Sequence, residues 1–248
     1  MIADCITFYN GLDVLEIRLN TLEDYVDRFV IVESPFDMTG KPKRLYLNEN
    51  KDRFKQFNII YLVVGDHEKH MKGIWEPYYY QIDYAVNGLL NLSGDDIVMI
   101  SDFDEIPNLE SYSGAEGSFR QELYYYYLNV ITSLTNWRGT VAVKMKNMVS
   151  LSRLRRRRTR VPIIGNGWHF SYISTEQEII EKIEAFCHYE LNTKIIKSRI
   201  GNNLKELKDP FGRNIVLRVQ QPSGPQWLLD NRDKYKNLFY EEKRNGCR

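Results

Sequence analysis

Apolar positions change their period several times within the first hundred residues. Ile6-Thr7-Phe8-Tyr9 is a short strand-like run, and Asn10-Gly11-Leu12-Asp13 is a turn ending in a helix cap. Leu15, Leu19, Leu22 and Val26 follow at spacings of four, three and four, on one helical face. Phe29 to Glu33 is a nearly continuous apolar run, as expected of a strand covered on both faces. The alternation repeats: Asn58 to Val64 reads as a buried strand, Tyr78, Ile82, Ala85 and Leu89 mark a helix, and Ile97 to Ile100 form the next strand. Strands alternating with helices predict an α/β layer with a mostly parallel central sheet flanked by helices.

The second half is less regular and predicts mixed structure. Ser118 to Leu123 reads as a helical turn, whereas Tyr124–Thr132 and Thr140–Met145 are strand-like in their aromatic and β-branched content. Val161 to Ile164 is another strand-like run, leading into Gly165-Asn166-Gly167-Trp168-His169-Phe170-Ser171-Tyr172. A helix follows, with Thr175 and Glu178 at capping-box spacing and Ile179, Ile183 and Phe186 on its inner side. Pro225 to Phe239 reads as a last helix packing back.

Composition adds limits. The 248 residues can bury a substantial core within one domain of ordinary size, and 34 Lys plus Arg nearly cancel 33 Asp plus Glu. Net charge therefore predicts no partner, and without a nucleic-acid motif it disfavours that class. The local exception is the run Arg153, Arg155, Arg156, Arg157, Arg158 and Arg160. It reads foremost as an exposed edge, with an anionic acceptor or peripheral membrane contact as the alternatives. Three scattered cysteines make neither a disulfide framework nor a zinc site and suit a reducing compartment. No window approaches a transmembrane span, so the chain is expected to be soluble and cytoplasmic.

In a parallel sheet, ligands bind beyond the carboxyl ends of the strands. That rim would gather Asn10, Glu33 and the cluster Asp102-Phe103-Asp104-Glu105, which follows Ile97-Val98-Met99-Ile100-Ser101 directly. In an extended segment Asp102 and Asp104 would point the same way and could share a hard divalent cation. Alone, the triplet leaves metal binding and helix capping equally open. His169 is either a metal ligand or a buried structural histidine, and His188 reads as structural. Gly40-Lys41-Pro42-Lys43-Arg44 is a cationic turn, solvated by default and phosphate-binding in the alternative. There is no P-loop, dinucleotide fingerprint or nucleophile elbow.

Together, FYNGLDVLEIRLNTL, DRFVIVESPFDMTGKPKRLYLNEN, ISDFDEIP and NGWHFSYISTEQEIIEKIEAFCHYELN resemble glycosyltransferase family 17, in order and over nearly the whole chain. The resemblance implies a GT-A-type single domain, with 1–107 as the nucleotide-sugar half and 108–248 as the acceptor-side half with C-terminal helices. It implies an inverting glycosyl transfer from a UDP-sugar, first UDP-N-acetylglucosamine, to a glycan or glycoprotein acceptor, with Mn²⁺ or Mg²⁺. Asp102 and Asp104 would be the family's Asp-X-Asp; placement in the fold makes His169 a candidate further metal ligand and sets Asn10 and Glu33 beside the donor, with Lys41 of the cationic turn. Candidate bases are Glu176, Glu178, Glu190 and Glu105. The sequence departs from the family pattern at Gly11 and Gln177, where carboxylates are expected, and it shows no anchor or stem, as in compact soluble microbial or viral members. Rival readings are another UDP-sugar such as a hexose or xylose donor, a nucleotidyltransferase, and a non-catalytic carbohydrate-binding relative.

Overall fold

The computed structural model describes residues 1–65 and 73–241. Four strands with helical crossovers form its first half. In chain order these are β1 (Ile2–Phe8), α1 (Leu12–Leu22), β2 (Arg28–Glu33), α2 (Tyr46–Glu49), β3 (Ile59–Val63), α3 (Glu76–Tyr84) and β4 (Ile97–Asp102). The strands pair in parallel in the order β3-β2-β1-β4. Strand alternation decides which face each side chain serves. Ile6 and Phe8 pack with the α1 residues Val14 and Leu15, while Ala3 and Cys5 on the other face meet Tyr78 and Ile82 of α3. Because each face has its own helix, β1 and β2 are buried along almost their whole length, as their apolar runs predict.

Two expectations change here. β3, read as a buried strand, is half-buried because it forms the sheet edge. The cap before α1 is Gly11, whose φ of 93° suits glycine, and no side chain caps the helix there.

The second half continues the same sheet with β5 (Glu105–Pro107), β6 (Gly117–Tyr125), β7 (Val130–Thr132), β8 (Trp137–Lys144), α4 (Leu151–Arg156), β9 (Ile163–Ser171), α5 (Glu176–Ala185), α6 (Lys194–Lys205), β10 (Leu217–Val219) and α7 (Gln226–Asp230). β8 lies antiparallel beside β4, and the order continues through β6 and β7 to β10, so the whole sheet is mixed. β9 runs parallel to β6 and antiparallel to β5. Ser118–Leu123, read as a helical turn, lies inside β6: pairing with β8 and β9 overrides the local pattern. The predicted capping box forms at Thr175 and Glu178. The sequence reading does not include α6, although Ile196, Ile200 and Leu204 recur on it at spacings of four and pack into one cluster with Ile179 and Ile183 of α5. The last predicted helix divides into α7 and a 3-10 segment, Arg232–Leu238. Among the described residues no helix is long and apolar enough to cross a membrane.

Candidate active site

β4 carries Ser101 and Asp102 to the sheet rim, and the chain turns at Phe103-Asp104 before β5 begins at Glu105. Two buried arginines hold this acidic turn. Arg18 of α1, completely buried, donates Nε and Nη2 to the Asp4 carboxylate at 2.8 and 2.7 Å. Its Nη2 also donates to Ser101 Oγ at 2.7 Å, and its Nη1 donates to the carbonyls of Asp102, Phe103 and Glu105 at 3.3, 3.3 and 2.7 Å. Its charge is matched by Asp4, and its remaining donors fix the backbone of the turn.

Arg155 holds the side chains. Its Nη2 lies 2.7 Å from both Asp102 Oδ2 and Glu105 Oε1, and its Nη1 donates to the Gly139 carbonyl at 2.8 Å. Asp102 Oδ1 also accepts from Tyr78 Oη at 2.9 Å, and Glu105 Oε1 accepts from Trp137 Nε1 at 2.8 Å. Glu105 is fully buried, and its other oxygen accepts from the Asp102 backbone N–H. This corrects its place among the bases: with both oxygens used inside the protein, Glu105 supports the turn.

The segment is not extended through both aspartates as expected, because β4 ends at Asp102 and the chain turns at Phe103-Asp104. Asp104 takes different partners: Lys182 Nζ of α5 at 3.2 Å and His169 Nε2 of β9 at 3.5 Å. Burial by itself would raise this carboxyl, but the Lys182 ammonium and the His169 imidazole outweigh it and hold Asp104 well below the ordinary carboxylate range. His169 is placed by register, since β9 sets it opposite Glu105 on one side and Leu123 on the other. Its ring lies 4.8 Å from the Trp137 ring, and its Nδ1 is buried without a hydrogen-bond partner among the described residues.

Asp102, Asp104, His169, Lys182 and Trp137 all line one cavity of about 600 Å³ at the carboxyl ends of the parallel strands. Trp75, Tyr79 and Phe186 give it an aromatic wall, and Arg156, Arg158 and Lys43 add cations. Of the four carboxylates read as bases, Glu190 is the one at this cavity, 2.6 Å from Nδ1 of His188, which lines it too. Glu176 lies against Gly201 of α6, and Glu178 closes the capping box. Glu178 and Asn10 border a separate small depression beside Asp104 and Lys182. Glu33, expected beside the donor, is fully buried and accepts from Tyr61 Oη at 2.8 Å, Lys43 Nζ at 3.3 Å and the Leu47 N–H at 3.2 Å. Burial raises its carboxyl despite the Lys43 charge. Lys41 is exposed and outside the cavity; Lys43, two residues on, lies over the Tyr9 and Tyr46 rings at 5.4 and 5.5 Å.

Sequence reasoning passed over Lys182, Trp137, Tyr78 and Arg18. Arg155 belongs to the run that reads foremost as an exposed edge, yet it is buried. A signal for it existed, since the buried Leu151, four residues earlier, shares its face of α4.

A mixed α/β sheet whose parallel half ends in an acidic turn, beneath a cavity lined with cations and aromatics, defines an α/β ligand-binding protein with its site at the strand carboxyl ends. The chain belongs to glycosyltransferase family 17, whose profile matches residues 1–209. It is similar to the β-1,4-mannosyl-glycoprotein 4-β-N-acetylglucosaminyltransferases of Homo sapiens and Rattus norvegicus, each 25% identical over 228 residues, 73% of this chain and 42% of the relative. The chain thus spans less than half the length of these relatives. Among solved structures, the inositol-1-phosphate CTP transferase from T. maritima matches 84% of this chain and 97% of its own, at 11% identity and a TM-score of 0.38.

Proposed function

We propose that this protein is a GT-A-type inverting glycosyltransferase that moves a sugar, first N-acetylglucosamine, from a UDP-sugar to a hydroxyl of a glycan or glycoprotein. The relatives' names supply the sugar and acceptor class. The observation that carries the reading is the Asp102-Phe103-Asp104 turn, fixed by two buried arginines at the floor of a cavity large enough for a nucleotide sugar.

A divalent cation suits part of this site. Among the described residues no group of three or more His, Cys, Asp or Glu side chains could hold a metal by itself. Mg²⁺, however, is usually held by one or two carboxylates together with substrate phosphates, and imidazole suits Mn²⁺. Asp104 would be the direct ligand, with the imidazole of His169, whose Nε2 lies 3.5 Å from it, as the second. Asp102, bonded to Arg155 and Tyr78, is a second-best ligand better placed to orient the donor. When bound, the cation supplies charge stabilisation for the departing diphosphate.

The chain's own groups account for the rest. Lys182 sits beside Asp104, where an ammonium can follow the negative charge of the leaving group. The proton of the acceptor hydroxyl goes to the Glu190–His188 pair, the carboxylate candidate at the cavity wall. One base is enough, because direct displacement with inversion needs no covalent intermediate. Incubation with UDP-N-acetylglucosamine and other UDP-sugars, Mn²⁺ and a panel of mannosides tests this directly. UDP release with sugar transfer is expected; neither event from any UDP-sugar overturns the reading.

A further inference from the structure

The arginine run is divided by the fold. Arg153, Arg157 and Arg160 are exposed, Arg155 is buried on Asp102 and Glu105, and Arg156, itself exposed, and the half-buried Arg158 line the cavity. Each of the latter two lies on an aromatic ring: the Arg156 guanidinium carbon is 5.1 Å from the Tyr79 ring centroid, and that of Arg158 is 5.8 Å from the Trp137 centroid. Neither has a carboxylate partner among the described residues. The other cavity cations do: Lys43 is paired with Glu33, Lys182 with Asp104 and Arg213 with Asp209.

Their positions are fixed relative to the acidic turn. Arg158 Nη1 donates to the Arg155 carbonyl at 3.1 Å, and Arg155 is itself bonded to the turn. Through the rings, Arg158 leads by Trp137 and His169 to Asp104, and Arg156 leads by Tyr79 and Tyr78 to Asp102. Two guanidinium forks without carboxylate partners, each over an aromatic ring in a cavity that already has an acidic turn, are complementary to a ligand with adjacent phosphates.

We propose that Arg156 and Arg158 form a diphosphate-recognising cradle, so that this part of the run binds the phosphates of a nucleotide donor. The cradle rests on the nucleotide-sugar reading for its role in transfer, but guanidinium recognition of a diphosphate does not depend on the nucleoside. Stacking keeps both groups in place before the ligand arrives and lowers the ordering cost of binding. As the donor's glycosidic bond breaks, the same groups would share the charge that develops on the diphosphate.

Calorimetric titration of the full chain in excess EDTA, with UDP, UMP, uridine and ADP, separates the contributions. For the unsubstituted protein, UDP is expected to bind about tenfold or more tighter than UMP, the size of one charge-assisted contact. Arg156→Gln and Arg158→Gln, singly and together, should narrow that gap to about threefold or less in the double variant while uridine affinity stays constant. Arg158→Lys should restore part of it, since charge returns without the fork. An undiminished UDP-to-UMP gap in the double variant overturns the cradle, as does an unsubstituted protein with no such gap. If ADP binds as well as UDP and loses affinity equally in the variants, the cradle stands and the uridine-donor reading falls.

Discussion

Arg155 Nη2 lies 2.7 Å from Asp102 Oδ2 and 2.7 Å from Glu105 Oε1, so one buried guanidinium joins the first carboxylate of the acidic turn to the glutamate that ends it. Arg18 fixes the backbone of the same turn from the opposite helix layer. The turn is therefore set before any ligand arrives, the condition under which polar groups act on a reaction without reorganising. Arg155→Met leaves the Glu105 carboxylate, with no exposed surface, without its cation. Breaking a buried ion pair on one side costs about 3–5 kcal/mol. Guanidinium chloride unfolding should show a loss of this order, and a change under about 1 kcal/mol would mean the bridge is dispensable.

Asp104 should matter differently, because its partners face the cavity. Asp104→Asn removes the carboxylate beside Lys182 and His169 and should lower UDP-sugar turnover by roughly 100–1000-fold, the usual cost of losing one preorganised electrostatic group. Steady-state UDP release measures this, with circular dichroism showing that the fold is retained. Lys182→Met is expected to lose turnover while donor binding changes less, since a leaving-group contact strengthens as charge develops. Equal losses in both quantities would make Lys182 a ground-state binding group.

If Asp104 and His169 hold a cation, chelation should abolish turnover and added Mn²⁺ should restore it, with Mg²⁺ the poorer replacement because one ligand is an imidazole. UDP-release rates in EDTA, then with each metal returned, check this. Turnover indifferent to EDTA would leave leaving-group stabilisation to Lys182 and the arginines alone.

The parallel half was legible because each of its strands is a local apolar run with its own crossover helix; Phe29 to Glu33 needs no distant information. The rim position of Asp102 and Asp104 followed from it. The roles of individual side chains did not, because they depend on partners far along the chain. Glu105 could be recognised as structural only once Trp137 and Arg155, 32 and 50 residues later, were placed on it. Lys41 and Lys43 are equivalent in the sequence, but Lys41 is exposed outside the cavity, whereas Lys43 lies over Tyr9 and Tyr46 and pairs with Glu33, 10 residues earlier. Lys182 lies one helical turn beyond the capping Glu178, and its meeting with Asp104, 78 residues away, is a product of tertiary packing.

Glu16 ties the C-terminal segment to α1 and should make stability depend on pH. Its carboxylate accepts from Arg53, from Lys234 Nζ at 2.6 Å and from Tyr235 Oη at 2.7 Å. Burial would raise the carboxyl, but these three hydrogen bonds together with the Arg53 charge outweigh it and lower it below 4.5. A depressed folded value means that the stabilisation is full above the unfolded pKa and is lost as pH falls through the folded one. Glu16→Gln should therefore cost about 2 kcal/mol near neutral pH, with the difference from the unsubstituted protein closing below about pH 4. Urea titrations at pH 7 and pH 3.5 read this; a penalty equal at both would place the effect in packing instead of charge.

Gly167 shows how the site's geometry depends on backbone approach. It lies on β9 opposite Pro107 of β5, two residues before His169. A Cβ built there would stand 2.3 Å from the Ile106 carbonyl oxygen and 2.9 Å from Pro107 Cα, both backbone atoms that cannot rotate away. Gly167→Ala must push β5 from β9 and so disturb the pairing that sets His169 opposite Glu105. Overpacking of this kind costs about 1–3 kcal/mol. Since the displaced strands carry Glu105 and His169, turnover should fall even under conditions where the variant remains fully folded. Thermal unfolding together with UDP release at 20 °C below the variant's midpoint separates the two effects, and full activity there would show that the β5–β9 register does not position His169.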